Sequence, residues 1–288
     1  MVEVLLEREE VNPDKPDNGG QTPLSFAARN GHAGVVGILF RREEVNPDKP
    51  NNDGQTPLAF AAWNGHEGVV TILLEREEVD PDRPDDNGQT PLAFAVIGGH
   101  ERVVTILFER EEVHPDKPDN YGQTPLSLAV WDGHEGVVTI LLGRKEVSPD
   151  KPNNYGQTPL SLAAQNGHEG VVTILLGREE VNPDEPDNCG RTPLLYAALN
   201  GHEVVVEVLL RQQDVNPGKP DNRGRTPLSL AAGGRHEGIV KMLLGREEVN
   251  PDRLDNYGRT PLSIATKNGC KRIVALLQSP KVVTPGII

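Results

Sequence analysis

The chain has 288 residues, of which 36% are hydrophobic and 4% aromatic. Its 30 glycines and 25 prolines predict many short elements, since both residue types interrupt helices and strands. The net charge of −14, from 29 Lys and Arg against 43 Asp and Glu, argues against binding of nucleic acid or an anionic membrane by the whole surface.

No segment predicts insertion into a membrane or transport across one. No apolar run approaches the roughly 18 residues that span a bilayer. The first residues, MVEVLLEREE, lack both the basic stretch and the clean apolar stretch of a secretory leader. Two cysteines, Cys189 and Cys270, are too few for a disulfide framework. We therefore expect an intracellular, cytoplasmic protein that binds no membrane.

A repeat of 34 residues organises the chain. The tripeptide Thr-Pro-Leu recurs at this step, beginning at Thr22, Thr56, Thr90, Thr124, Thr158, Thr192, Thr226 and Thr260. Sixteen residues precede the eight repeats, which occupy residues 17–50, 51–84, 85–118, 119–152, 153–186, 187–220, 221–254 and 255–288. Because no linker separates the repeats, we predict one domain over residues 1–288, in which residues 1–16 form a half-unit.

Each repeat predicts two helices and an extended connector. In Gly-Gln/Arg-Thr-Pro-Leu the threonine hydroxyl can cap a helix and the proline fits the first helical turn. The first helix then ends at Asn-Gly, a suitable left-handed cap, and a second follows His-Glu-Gly with the pattern VVTILL. The connector REEVNPDKPDN contains two prolines that stop this helix. One unit buries too little apolar surface to fold alone, so neighbouring repeats must stack.

The recurring G-x-T-P-L, the Ala-Ala pair, Asn-Gly-His and V-V-x-x-L-L resemble the ankyrin repeat over essentially the whole chain. The resemblance implies an all-α solenoid of eight helix-turn-helix units plus the half-unit, which binds a protein partner in a concave groove. The unit departs from the common pattern of roughly 33 residues, and it carries Arg-Glu-Glu where Gly-Ala-Asp is usual. This variant is similar to the ankyrin arrays of fungal NOD-like (NACHT-type) receptors.

The sequence offers no pattern typical of catalysis or metal binding. It lacks a phosphate loop, a G-x-S-x-G elbow and an H-E-x-x-H zinc motif, so we expect no enzyme, small-molecule substrate or cofactor. Seven of the eight histidines, from His32 to His236, share one repeat position. Successive repeats stack about 8–10 Å apart, whereas zinc ligands lie about 2 Å from the metal. We therefore interpret these imidazoles as bonded to backbone.

Two positions vary most between repeats when each repeat is numbered from 1, so that residue 17 is position 1 of the first. Position 3 carries Gly19, Asp53, Asn87, Tyr121, Tyr155, Cys189, Arg223 and Tyr257. Position 13 carries Arg29, Trp63, Ile97, Trp131, Gln165, Leu199, Gly233 and Lys267. In ankyrin proteins these places correspond to the finger tip and the inner-helix surface, which line the groove. The phenylalanines lie elsewhere, at positions that we predict to be core: Phe26, Phe60, Phe94, Phe40 and Phe108.

Large side chains at the two variable positions are the predicted partner-binding residues, because Trp and Tyr bury much area and keep a hydrogen-bonding edge. They are Trp63, Ile97, Tyr121, Trp131, Tyr155 and Leu199. Residues 221–288 carry a net charge of +5 against −19 for residues 1–220. The predicted cationic end comprises Arg191, Arg223, Arg225, Arg259 and Lys267. This surface suits a partner with an apolar protrusion flanked by carboxylates or phosphates.

Two alternatives stay open on the sequence alone. Trp63 and Trp131 could cover a neighbouring helix instead of facing a partner. The array could also be a structural spacer, or a self-associating solenoid, without a specific ligand. Since residues 1–16 align with only a second helix and its connector, Val2, Leu5 and Leu6 are predicted to be exposed and to favour weak end-to-end association. The last residues, KVVTPGII, are predicted to be loose.

Overall fold

The structure is a computed structural model that describes residues 11–279. Over these residues the chain forms sixteen α-helices and no strand, two helices in each repeat, as the all-α prediction requires. The first helices are α1 (Pro23–Arg29), α3 (Pro57–Trp63), α5 (Pro91–Ile97), α7 (Pro125–Asp132), α9 (Pro159–Asn166), α11 (Pro193–Asn200), α13 (Pro227–Gly234) and α15 (Pro261–Lys267). The second helices are α2 (Ala33–Leu39), α4 (Glu67–Leu74), α6 (Glu101–Leu107), α8 (Glu135–Leu142), α10 (Glu169–Leu176), α12 (Glu203–Leu210), α14 (Glu237–Leu244) and α16 (Lys271–Gln278).

The Thr-Pro-Leu signal starts every first helix, which confirms the prediction. Thr56 Oγ1 accepts a hydrogen bond from the Ala59 backbone N–H at 3.2 Å, and proline occupies the first helical residue. In α1, α13 and α15 a serine side chain also accepts a hydrogen bond from the backbone N–H of the capping threonine, which completes a capping box. Most second helices begin at the glutamate that follows the histidine, two residues before the predicted VVTILL. The negative charge of this glutamate stabilises the N-terminus of the helix.

The described residues group into two compact units that divide between Ser148 and Pro149. In the first unit, α1, α3, α5 and α7 pack in order, each against the next, and so do α2, α4, α6 and α8. In the second unit, α9, α11, α13 and α15 pack in the same way, as do α10, α12, α14 and α16. The single domain over residues 1–288 stays a prediction.

The core consists of one apolar layer per repeat. In the second repeat Leu58, Ala61, Ala62, Val70 and Leu73 are completely buried. Burial of a leucine or valine side chain contributes about 1.5–3 kcal/mol, and no repeat buries these residues without the helices of its neighbours. None of the sixteen described helices has the length and apolar character that crossing a bilayer requires.

The core prediction is wrong for Phe26, which is 43% exposed, whereas Phe60 and Phe94 are buried at the same repeat position. The residue at position 13 of the preceding repeat covers this position, as Trp63 covers Phe94. Within residues 11–279 no residue at position 13 precedes Phe26, so its ring has no such cover there.

Phe40 and Phe108 are only half-buried. Guanidinium groups cover their rings, with Arg76 at 4.6 Å from the Phe40 centroid and Arg144 at 4.9 Å from that of Phe108. Two predictions lie outside the described residues. One is the exposed start (Val2, Leu5 and Leu6) with the association expected from it, and the other is the loose tail.

Candidate functional site

The histidine at position 16 joins a repeat to the one before it. Its Nε2–H donates to the carbonyl oxygen of position 13 in the preceding repeat, as from His100 to Trp63 at 2.8 Å. The same bond recurs from His66 to Arg29 (3.0 Å), His134 to Ile97 (3.1 Å), His202 to Gln165 (3.0 Å) and His236 to Leu199 (3.2 Å). The predicted bonding of imidazoles to backbone is therefore confirmed. In these five pairs the bond holds the backbone from which the variable side chain at position 13 projects.

The turn that carries position 3 is fixed by the Asp or Asn at position 1. Asp119 Oδ1 accepts from the backbone N–H groups of Tyr121 (2.9 Å) and Gln123 (2.8 Å). Consecutive turns are also linked, since the Asn120 N–H donates to the Asn87 carbonyl at 2.9 Å. With its backbone held in this way, position 3 presents its side chain to solvent, and Tyr121 is 52% exposed. We call positions 3 and 13 of either unit its variable face.

An open pocket of about 360 Å³ lies on the variable face of the first unit. It brings together Arg29 and Trp63 at position 13 with Asp53 at position 3. The rest of its lining comprises Gln21, Asn51, Gln55, Phe60 and Asn64. The two variable positions thus converge on one site, and Asp53 and Arg29 are site residues that the aromatic criterion missed although both belong to the variable series.

The Trp63 indole contacts the next repeat with one part of its surface and solvent with the rest. It stacks on Phe94 with the ring centroids 4.9 Å apart, so it covers a neighbouring helix, as one alternative expected. It nevertheless stays 45% exposed and lines the pocket. Trp131 is 43% exposed. Both indoles therefore keep surface that a partner can contact.

The other candidate residues lie on the variable face of their own unit without sharing a described pocket. In the first unit Tyr121 and Trp131 are exposed and Ile97 is half-buried. In the second unit Tyr155 is exposed and Leu199 is half-buried. The partner-binding role of all these side chains stays a prediction.

Three of the five predicted cationic residues are paired within their own turns. Arg225 donates from Nε to Asp221 Oδ2 at 2.7 Å, and the Asp221 side chain is only 1% exposed. Arg259 binds Asp255 in the same way, and Arg191 Nε lies 3.3 Å from Asp187 Oδ2. Burial would raise the pKa of Asp255, but the bonds from Arg259 and the backbone outweigh it and lower that pKa.

Arg223 and Lys267 are the exposed cations of the predicted set that form no ion pair within residues 11–279. The positive charge that this end of the chain can offer a partner is therefore smaller than the sequence count implies.

Tyr196 is a site residue that the sequence does not single out. It occupies the position of Phe60, but its hydroxyl donates to Asp187 Oδ2 at 2.6 Å and accepts from Gln157 Nε2 at 2.9 Å. Burial, followed by the bond to Asp187, raises the pKa of this phenol well above its usual value. Gln157 also donates to Gln165 Oε1 at 3.0 Å. A polar network thus joins side chains here that are equivalent to the pocket lining of the first unit.

A model described as ankyrin repeats in three copies matches residues 1–85, 76–153, 138–221 and 206–284. The chain belongs to the ankyrin-repeat family. Ankyrin repeats generally mediate protein–protein interactions, and the family is typically non-catalytic. A comparison with curated proteins found no significant match. Within residues 11–279 of this ankyrin array, no group of three His, Cys, Asp or Glu side chains is placed to hold a metal ion.

Proposed function

We propose that this ankyrin array is a non-catalytic scaffold that captures a protein partner on its variable face. Trp63 carries the proposal. Its indole is 45% exposed in an open pocket, while its carbonyl is held by His100. An indole on a fixed backbone offers large contact area at a small entropic cost, which is the usual character of a binding hot spot.

Within each unit the fixed and variable positions have separate tasks. The residues that recur in every repeat cap helices and fill the core. The residues that differ are exposed or half-buried on the variable face. Such a division lets partner specificity change without loss of stacking.

We further propose that the array is the recognition part of a larger fungal receptor and works inside the cell. The support for the receptor is the similarity of the REEVNPDKPDN connector to those of NOD-like receptor arrays. The support for the compartment is that Cys189 and Cys270 are both free thiols.

The experiment is a quantitative pull-down from cells of the source organism, with the double variant Trp63→Gln/Trp131→Gln. Glutamine is chosen because the fifth repeat carries Gln165 at this position. Val204→Ala is the matched control, since Val204 is a 49% exposed apolar residue on α12 and lies outside the variable face. We expect the double variant to lose a partner at least tenfold and the control to retain it.

Stability is measured in parallel by urea unfolding. Loss of the stacking on Phe94 is expected to cost about 1 kcal/mol, too little to unfold the array. Equal capture by the wild type and the folded double variant would favour the spacer alternative instead. The convergence of Arg29, Asp53 and Trp63 on one pocket supports recognition over that alternative.

A further inference from the structure

The variable face taken together with its neighbouring positions carries opposite net charge in the two units. At positions 3 and 13 and their neighbours 2 and 14, the first four repeats hold three acids, Asp53, Asp86 and Asp132, and one base, Arg29. The same positions of the last four repeats hold Arg223 and Lys267 and no acid. Of these acids, Asp53 lies on the variable face that also carries the tryptophans of the first unit, and that combination fits a cation.

We propose that the pocket of the first two repeats binds a lysine or arginine side chain of the protein partner, between the Trp63 indole and the Asp53 carboxylate. This proposal rests on the proposed function, and it specifies the chemistry of the residue that the pocket accepts.

The carboxylate side of the pocket is exposed and free to pair. Asp53 lines the pocket, and Asp86 lies beside it because the Asp86 N–H donates to the Asp53 carbonyl at 3.0 Å. Neither carboxylate forms an ion pair within residues 11–279. A cation entering the pocket therefore meets the Asp53 carboxylate, whose charge no side chain of the described chain already neutralises.

The aromatic side of the pocket favours the same ligand. One part of the Trp63 indole stacks on Phe94, and the exposed part lines the pocket, where a cation would contact the electron-rich ring.

Arg29 is the one group in the pocket that opposes a second cation. Its guanidinium lies over the Phe60 ring, 5.8 Å from the centroid, rather than over Trp63. Removal of this charge should therefore strengthen the binding of a basic side chain. That expectation separates a cation pocket from a general affinity of aromatic surface for peptides.

The test uses the full chain and a phage-displayed library of random 12-residue peptides, depleted on the Trp63→Gln variant and then selected on the wild type. We expect the retained peptides to be enriched in Lys and Arg over Asp and Glu. The affinity of a selected peptide should fall about five- to tenfold in Asp53→Asn and rise about threefold in Arg29→Gln. Glu75→Gln, which removes one exposed negative charge from the same repeat outside the pocket, should change it less than twofold.

Two results would overturn the proposal and leave the binding scaffold intact: retained peptides without a basic bias, or the same affinity in Asp53→Asn as in the wild type. If no peptide distinguishes the wild type from Trp63→Gln, both the cation pocket and the role of Trp63 in capture are wrong. Circular dichroism and urea unfolding of each variant establish that the comparison is between folded chains.

Discussion

Two residues set how closely consecutive repeats approach, the glycine at position 15 and the histidine at position 16 of the next repeat. Gly31 has a φ of 72°, and a Cβ built on it would lie 2.7 Å from His66 Nδ1. The glycine supplies both the left-handed backbone and the space that the imidazole fills. The seventh and eighth repeats change both residues together, with Arg235 at a φ of 69° and Cys270 in place of histidine.

We predict that Arg235→Gly with Cys270→His restores this joint and stabilises the chain by about 1–2 kcal/mol. Relief of the left-handed arginine contributes roughly 1 kcal/mol. A new bond from the imidazole to the Gly233 carbonyl adds about 1 kcal/mol. Cys270→His alone should be neutral or destabilising, because its ring meets the Arg235 side chain.

Urea unfolding of both single variants and the double variant measures the coupling between these two sites. If Cys270→His has the same effect with and without Arg235→Gly, the two residues are independent and this explanation of their joint change is wrong.

At the residue scale, the sequence predicts which bonds a side chain can form better than it predicts the partner in those bonds. The capping threonines follow from local chemistry, and so does the backbone bonding of the histidines. The bond from Arg225 to Asp221 does not follow from a charge count, which treats each arginine as solvated. The exposure of Phe26 does not follow from its own residue type either, because burial at this position depends on the residue at position 13 of another repeat, as Trp63 covers Phe94.

At the scale of elements, the extended connectors of consecutive repeats are joined by a cation. Lys49 Nζ donates to the Asp14 backbone oxygen at 3.0 Å and to its Oδ2 at 2.8 Å. The same pair of bonds joins Arg83 to Asp48, Lys117 to Asp82 and Lys219 to Asp184. Each bond pair ties a connector to the repeat before it.

One connector carries an acid in place of this cation. Glu185 stands where six other repeats carry lysine or arginine, and it faces Asp150. Both carboxylates bind Asn182, whose N–H donates to Asp150 Oδ2 at 3.2 Å and whose Nδ2 donates to Glu185 Oε2 at 2.7 Å. Burial raises the pKa of Asp150, and the charge of Glu185 raises it further. The contact between these two connectors therefore loses stability when Asp150 and Glu185 are both ionised.

We predict that Glu185→Lys stabilises the chain by about 1 kcal/mol at pH 7, because it replaces a repulsion with a partly buried ion pair. Since the pKa of Asp150 is raised by folding, its ionisation opposes folding as pH rises, and the cost vanishes below the unfolded pKa of about 4. The gain from Glu185→Lys should therefore shrink as pH falls through 4.

Urea unfolding at pH 7 and at low pH measures this gain. Glu179→Lys is the control, because Glu179 is an exposed residue of the same repeat and the substitution makes the same change in net charge. A gain that the control reproduces, or one that does not depend on pH, would show that the Asp150–Glu185 contact does not weaken the joint.

Helix positions are the part of the structure that the sequence predicts most closely. Thr-Pro-Leu marks the start of each first helix because capping and proline geometry are local effects. The start of the second helix is less sharply encoded, since the histidine before it makes no side-chain cap bond and binds the preceding repeat instead. Contacts between repeats thus help to determine the start of the second helix, which local signals do not define.

At the scale of the whole molecule, the period of 34 residues predicts the order of helices and the obligatory stacking. It does not predict the division after Ser148, because the fourth and fifth repeats differ at only seven positions. It predicts the location of the variable positions but not the pocket, which depends on how Arg29, Asp53 and Trp63 from two repeats converge.

A partner bound to the variable face of the first unit covers its exposed indoles, and tryptophan fluorescence measures this directly because Trp63 and Trp131 are the only tryptophans in the sequence. The measurement is a titration of the full-length Trp131→Phe variant with the captured partner, followed by Trp63 emission and acrylamide quenching. We predict a blue shift of the emission and protection from acrylamide, both saturating with the binding isotherm. Saturable binding by calorimetry that leaves the emission and quenching of Trp63 unchanged would contradict the account.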